Sequence, residues 1–392
     1  MGKIDWHSMK LKGNPFHIIP EKKSGNLIWA GLKKIRGEFD SLIINDLNSP
    51  KTNVVLYMSR WGGGKTHTSY YYSDHDHLPQ VDFKYTLPLS LIIVTPSDGA
   101  NAFHEFYTKI IEGIGVSTIS ETIKSMRLEI EDPKRSLQNI QQACESEDIG
   151  KMLWLAGDAD EEISYEATEL FFSPKPSAGI KRKLRIRRGI ESTNDKFTVL
   201  SAIFKIISKY DESGKLENPR RIFLWLDEIE SLIYYTTRYH KTFSQALRGL
   251  IDKTPKNLTL FMNFSFADIE TISTLEFIIG NALKDRITKK IFFDKLNIPE
   301  SLEYVGELLR FFRSGAVSSI NMYFPFTKEA LEILFKKFEE EVKEPLMPRS
   351  INKCCLATIT QAFEQKYFPQ KDIIDPAFSE RMAFIDSPLE SF

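Results

Sequence analysis

SRWGGGKT, running from Ser59 to Thr66, is the stretch on which the reading of the chain turns. It fits the phosphate-binding pattern G-x-x-x-x-G-K-[ST], and its commoner form G-x-x-G-x-G-K-[ST], at Gly62, Gly64, Lys65 and Thr66. Only the leading position departs, where Ser59 stands in place of glycine. Such loops need glycine because the backbone takes positive φ and brings N–H groups against phosphate oxygens with no Cβ in the way. A helix starting there offers its N-terminus to the anion. Lys65 then reaches the β- and γ-phosphates, and the Thr66 hydroxyl ligates Mg²⁺. A flexible hairpin turn would explain GGGKT alone. It would not explain the apolar strand Asn53–Ser59 that enters the loop, or the helix-compatible THTSYYYS that leaves it. The candidate nucleotide-binding residues are therefore Ser59, Trp61, Gly62, Gly63, Gly64, Lys65, Thr66 and His67.

A second signal lies far downstream. IFLWLDEIE, Ile222–Glu230, ends a wholly apolar strand in two acids. In a parallel sheet that strand is buried and its carboxyl end meets the ligand edge. There Asp227 is suited to hold Mg²⁺, and Glu228 to orient and deprotonate an attacking water. A strand ending in Asp-Glu is common by itself; behind a phosphate loop, in this chain order, it completes an ATP site.

Around these motifs, apolar strands at Leu87–Val94, Leu258–Phe264 and Lys290–Phe293 alternate with helical patterns, and from Glu300 onward the pattern is helical throughout. This implies an α/β fold, a parallel sheet flanked by helices and followed by a small helical domain. We expect an N-terminal segment over 1–50, a nucleotide-binding core over 51–298, a helical lid over 299–366 and a tail over 367–392. The distance from Thr66 to Asp227 exceeds what a minimal core needs, which points to a mainly helical insertion at about 116–195.

Composition is ordinary for a globular protein, 42% hydrophobic and 27% charged over 392 residues. A net charge of −1 excludes an indiscriminate polycation, so any nucleic-acid contact needs a local patch. Cys144, Cys354 and Cys355 form neither a disulfide framework nor a metal spacing, which suggests a reducing compartment. The N-terminus lacks a signal-peptide core, Trp6 removes a myristoylation signal, and no apolar run reaches the roughly 18 to 20 residues of a bilayer span. A cytoplasmic protein without membrane attachment is expected. His75 and His77 alone make a weak metal pair.

Together these residues resemble the AAA+ ATPases, over about Asn14 to Phe363 apart from the insertion. Within them the chain is most similar to the branch of origin-recognition and initiator ATPases, transposition ATPases and related bacterial defence ATPases. The resemblance implies that KGNPFHIIP and NLIWAGL form the adenine-side segment, with Pro15, Phe16, Ile18 and Trp29 near the base. It implies that NFSFAD supplies the sensor-1 polar residue, Asn263 or Ser265, that ALKDRITKKIFF carries an arginine finger at Arg286, and that MPRSINK carries sensor 2 at Arg349. The residues after the last clear helix are too few for the winged-helix domain that many initiators append.

KRKLRIRR offers Lys181, Arg182, Lys183, Arg185, Arg187 and Arg188 to a phosphate backbone. Because Leu184 and Ile186 alternate with the charges, a lysine- and arginine-blunted edge strand competes with that reading. Two functional readings follow. One is a Mg²⁺-dependent ATPase that forms homo-oligomers with nucleotide at the subunit interface and acts on DNA or protein. The other is an ATP-bound assembly switch for an effector protein, with slow hydrolysis.

Overall fold

The computed structural model describes residues 4–19, 27–130, 132–173, 175–254, 256–266, 269–315, 321–367, 373–382 and 384. The chain divides into two compact units. One comprises Met1–Phe39, Ser59–Tyr71 and Phe292–Phe392; the other comprises Asp40–Met58 and Tyr72–Ile291.

The second unit is built on a sheet. The strands are β1 (Asn53–Ser59), β2 (Leu89–Val94), a two-residue hairpin pair β3 (Tyr210–Asp211) and β4 (Gly214–Lys215), then β5 (Ile222–Asp227), β6 (Leu258–Ser265) and β7 (Lys289–Phe293), of which Ser59, Phe292 and Phe293 at strand ends count with the first unit. The five long strands lie in the order β2-β5-β6-β1-β7 and form a parallel sheet. Register pairs Val94 with Asp227 and Leu226 with Met262. Every residue of β5 is buried, because a central parallel strand is covered on both faces. Alternation sends Leu224, Leu226, Leu260 and Met262 to one face. On the other, Trp225 stacks on Phe261 with ring centroids 3.8 Å apart. Asp227 and Asn263, two residues further along each strand, inherit that second face.

Helices α1 (Lys33–Asn48), α2 (Lys65–Ser73) and α3 (Ala102–Ile114) are followed by the run α4 (Val116–Glu129), α5 (Pro133–Cys144), α6 (Glu147–Ala156), α7 (Glu161–Glu169) and α8 (Ala178–Leu184). Next come α9 (Thr193–Ile207), α10 (Thr237–Lys253) and α11 (Ile269–Lys284). The segment between α3 and α9 is helical, and it is no separate body. Ile119, Ile123, Met126, Ile140 and Leu153 join one continuous core with Leu224 and Leu260 of the sheet. The periodic run Leu137–Leu155 is two helices, broken where Glu145 turns left-handed (φ 49°) and Ser146 caps α6.

The first unit contains α12 (Ile298–Phe312), α13 (Lys328–Glu341), α14 (Pro348–Glu364) and α15 (Pro376–Arg381). Its core joins Met9, Leu11 and Phe16 to Leu309, Phe335, Ile351, Cys354 and Cys355. Within 367–392, Asp375 caps α15, and most of the remainder lies outside the described residues. The three cysteines are buried and unpaired with one another.

Candidate active site

In the first unit, the loop leads straight into α2, whose first residue is Lys65. Gly62 (φ 79°) and Gly64 (φ 95°) take the left-handed backbone that only glycine adopts without strain. A Cβ on Gly62 would sit 2.6 Å from the Cβ of Arg349, and the Arg349 N–H donates to Gly62 O at 3.1 Å. Arg349 is the second residue of α14, so one of the orphan N–H groups of that helix start is satisfied by the phosphate loop itself. Its side chain is solvent-exposed. The resemblance-derived sensor-2 position thus adjoins the loop inside one compact unit.

Lys65 is buried, and its ammonium donates to Ser59 Oγ at 2.7 Å, to Arg60 O at 3.2 Å and to Ser59 O at 3.4 Å. Ser59 is fully buried and its hydroxyl donates onward to Arg60 O at 2.5 Å. A Cβ on Gly63 would lie 2.6 Å from Ser59 Cβ, which explains a third glycine where the general pattern tolerates any residue. Trp61 is 67% exposed at the loop's outer turn, and Thr66 is half-buried in the first turn of α2.

The adenine-side expectations divide. Trp29 is buried and donates its indole N–H to Gly31 O. It packs edge-on to Tyr71 at 5.4 Å and tilted to His67 at 6.5 Å. The His67 ring bonds Ile28 O at 2.8 Å, so the structure turns His67 toward the N-terminal segment. Phe16 is 0% exposed, meets Phe326 edge-on, and belongs to the helical core. A short N-terminal segment rich in apolar residues fills a core as readily as it lines a pocket, and the sequence alone does not separate the two.

In the second unit, the carboxylates form a tight cluster. The Asn263 amide donates through Nδ2 to Asp227 Oδ1 and accepts at Oδ1 from the Glu228 N–H at 2.9 Å. The same Glu228 N–H also donates to Asp227 Oδ1 at 2.9 Å. One donor and one acceptor are required of Asn263 here, which fixes the orientation of its amide. Glu228 itself is left-handed (φ 58°, ψ 43°), a conformation costing a non-glycine residue about 1–3 kcal/mol and held only where the surroundings over-determine it. Its side chain reaches solvent. Desolvation first, then the neighbouring charges of Asp227 and Glu230, push its pKa above the ordinary carboxylate value. A carboxylate whose pKa is raised is a stronger base than an ordinary one. Ser265 enters through its backbone N–H, which donates to Glu230 Oε2 at 3.0 Å. Of the two sensor-1 candidates, Asn263 is the one whose side chain bonds Asp227 and the Glu228 backbone.

Sheet order brings the carboxyl ends of β1 and β5 to one edge, with β6 between them. Elsewhere in this unit, Arg286 follows α11 and makes a two-pronged pair with Asp252, Nε to Oδ1 at 2.6 Å and Nη2 to Oδ2 at 2.9 Å. The basic run is helix α8 and the turn after it, not an edge strand. Leu184 and Ile186 are buried anchors, and Arg185 turns left-handed to end the helix. Lys183 pairs with Glu162 and Glu166, Arg187 with Glu147, and Arg188 with Asp195. Lys181, Arg182 and Arg185 make no ion pair with described residues. His75 bonds Pro88 O and His77 lies 3.7 Å from Asp74, and among the described residues no group of three or more His, Cys, Asp or Glu is placed to hold a metal. None of the described helices is long and apolar enough to cross a membrane.

No protein-family model and no curated protein matches the chain. Among solved structures it is similar to the Aeropyrum pernix ORC1 protein in complex with DNA (10% identity, TM-score 0.41, covering 92% of this chain and 66% of that one). It is also similar to Drosophila ORC bound to DNA (9%, TM-score 0.46, 97% and 67%) and to the ADP form of the Aeropyrum pernix ORC2 protein (12%, TM-score 0.48, 96% and 73%). The chain spans about two thirds of the length of the first two.

Proposed function

We propose that this protein binds ATP with Mg²⁺ and hydrolyses it. The observation that carries the reading is the Asp227–Asn263–Glu228 cluster at the carboxyl edge of a parallel sheet, with Glu228 held left-handed and its pKa raised. The loop Ser59–Thr66 supplies the phosphate-binding N–H groups and Lys65 the cation, at the end of a strand of the same sheet. The Thr66 hydroxyl and an Asp227 carboxylate are hard oxygen donors, and so few protein ligands suit Mg²⁺, which keeps waters and takes the rest from phosphate. When bound, Mg²⁺ neutralises charge on the phosphates.

The chain's own residues do the remainder. Glu228 takes a proton from water as its oxygen attacks the γ-phosphorus, and ADP departs. Asn263 fixes both the Asp227 carboxylate and the Glu228 backbone, so that base and metal ligand keep their spacing. Arg349, tied to Gly62 through its backbone N–H, follows the phosphates. Arg286 serves a neighbouring copy's γ-phosphate in a homo-oligomer once its surface pair with Asp252 opens, and Lys181, Arg182 and Arg185 contact DNA. The test is Glu228→Gln. The amide keeps the shape and cannot accept the proton, so ATP binding is retained and turnover is lost. Wild-type turnover in that variant would overturn the assignment.

A further inference from the structure

Ser59 is the one departure from the phosphate-loop pattern, and its side chain touches the residue on which the loop's function depends. We infer that Ser59 is a latch: its hydroxyl holds the Lys65 ammonium in a resting position that nucleotide must release, and it thereby sets the affinity of the loop for ATP. This rests on the reading of Ser59–Thr66 as the ATP loop.

Three observations carry it. The Lys65 ammonium lies 2.7 Å from Ser59 Oγ, closer than to the backbone oxygens of Arg60 and Ser59 at 3.2 and 3.4 Å. A glycine at position 59 would leave the backbone oxygens and remove the hydroxyl, so the serine adds a charge-assisted bond to the empty loop that the usual sequence lacks. Second, the hydroxyl is not free to swing away, because it is buried and donates to Arg60 O at 2.5 Å. Third, the loop is rebuilt around this side chain. A Cβ at Gly63 would fall 2.6 Å from Ser59 Cβ, an atom that no rotamer change moves, so the serine and the third glycine belong together. A loop whose lysine is engaged binds with its intrinsic affinity reduced by the fraction of time the lysine is released.

The test measures binding, with no need of turnover, of Mg-ATP, Mg-ADP and AMP to wild type, Ser59→Ala, Ser59→Gly, Gly63→Ala and the double variant Ser59→Gly/Gly63→Ala. Removing one charge-assisted bond from the empty state is expected to tighten ATP and ADP about tenfold or more in Ser59→Ala. The gain appears mainly in the association rate and is absent for AMP, which offers Lys65 no β- or γ-phosphate. A side chain that merely packed the loop would give the opposite sign, with looser binding and a lower melting temperature. Gly63→Ala should lose binding, and the double variant should recover it, because removing Ser59 Cβ leaves only Met347 Cε, 2.9 Å from the new Cβ and at the end of a flexible side chain, to shift aside. Equal ATP affinity in wild type and Ser59→Ala, or an unaffected Gly63→Ala, overturns the latch while leaving the ATP site standing. No ATP binding by any variant overturns both.

Discussion

Replacing Asn263 with alanine separates a catalytic cluster from a strand that happens to end in two acids. The side chain is 1% exposed and makes two hydrogen bonds, one to an ionised carboxylate and one from a backbone N–H. The first class of bond contributes about 1.5–3 kcal/mol and the second about 0.5–1.5 kcal/mol. The Glu228 N–H keeps its second acceptor, Asp227 Oδ1, and is not orphaned by the change. The expected loss of stability is therefore about 2–4 kcal/mol, set mostly by the donor withdrawn from Asp227. Turnover suffers more than stability predicts, because Glu228 loses one of the bonds that hold its left-handed backbone; a fall on the order of 100-fold is expected, comparable to removing one preorganised donor from an active site. ATP affinity should change little. Denaturant unfolding, ATP binding and phosphate release measured on the same preparations provide the assay. Ser265→Ala is the control: its contact runs through the backbone N–H, which alanine keeps, so all three readouts stay near wild type. If Asn263→Ala hydrolyses ATP at the wild-type rate, or Ser265→Ala carries the larger loss, the assignment of Asn263 is wrong.

Because the pKa of Glu228 is raised, the acid limb of the pH–rate profile should lie at higher pH than an unperturbed carboxylate would give. A folded-state pKa raised above the unfolded one also contributes stability at low pH that is lost as pH rises through it, so Glu228→Gln should melt higher than wild type at neutral pH and converge with it on acidification. Arg286→Ala should leave ATP affinity intact and remove hydrolysis, with partial recovery when mixed with Glu228→Gln. Asp252→Ala, which breaks the same exposed ion pair, should keep turnover, and identical behaviour of the two variants would reduce Arg286 to a surface partner. Changing Lys181, Arg182 and Arg185 to alanine should flatten the slope of log DNA affinity against log salt by up to about 2.7, at about 0.9 per phosphate, without altering basal hydrolysis. An unchanged slope would remove DNA from the proposal.

The elements that could be read from sequence were those whose pattern is set by burial. β1, β5 and β6 are apolar runs because both faces of a central parallel strand are covered, and each lies within a residue or two of its expected place. The helix after β2 starts at Ala102, and Asp98 closes the turn before it by accepting from the Ala100 N–H. Less legible was anything decided by long-range contact. KRKLRIRR has the alternation of a strand, yet Leu184 ends a helix and Ile186 follows its left-handed cap, both buried among the insertion's helices. Phe16 is assigned to the base side by the resemblance of KGNPFHIIP alone, whereas its packing comes from Phe326, far away in sequence. Motif spacing could not choose between Asn263 and Ser265. Two residues apart on β6, they share a face of the sheet, so the pleat does not separate them either; the contacts do, since the Asn263 side chain bonds Asp227 and the Glu228 N–H whereas Ser265 bonds Glu230 through its backbone. The departure at Ser59 was visible, but its partnership with Lys65 and Gly63 was not, since the pattern gives positions and no side-chain directions.

The most direct test of the central claim is Mg-ATP binding by Lys65→Ala. In wild type this ammonium is the cation on which the loop's grip of the γ-phosphate depends, and losing a buried charge-assisted contact should cost a few kcal/mol, on the order of 100-fold or more in affinity. The account predicts clear saturable binding of Mg-ATP by wild type and none measurable in the variant at the same concentrations, with both proteins folded by circular dichroism. Affinity in Lys65→Ala within about threefold of wild type would contradict it, and the loop would then be a glycine-rich turn with no nucleotide to hold.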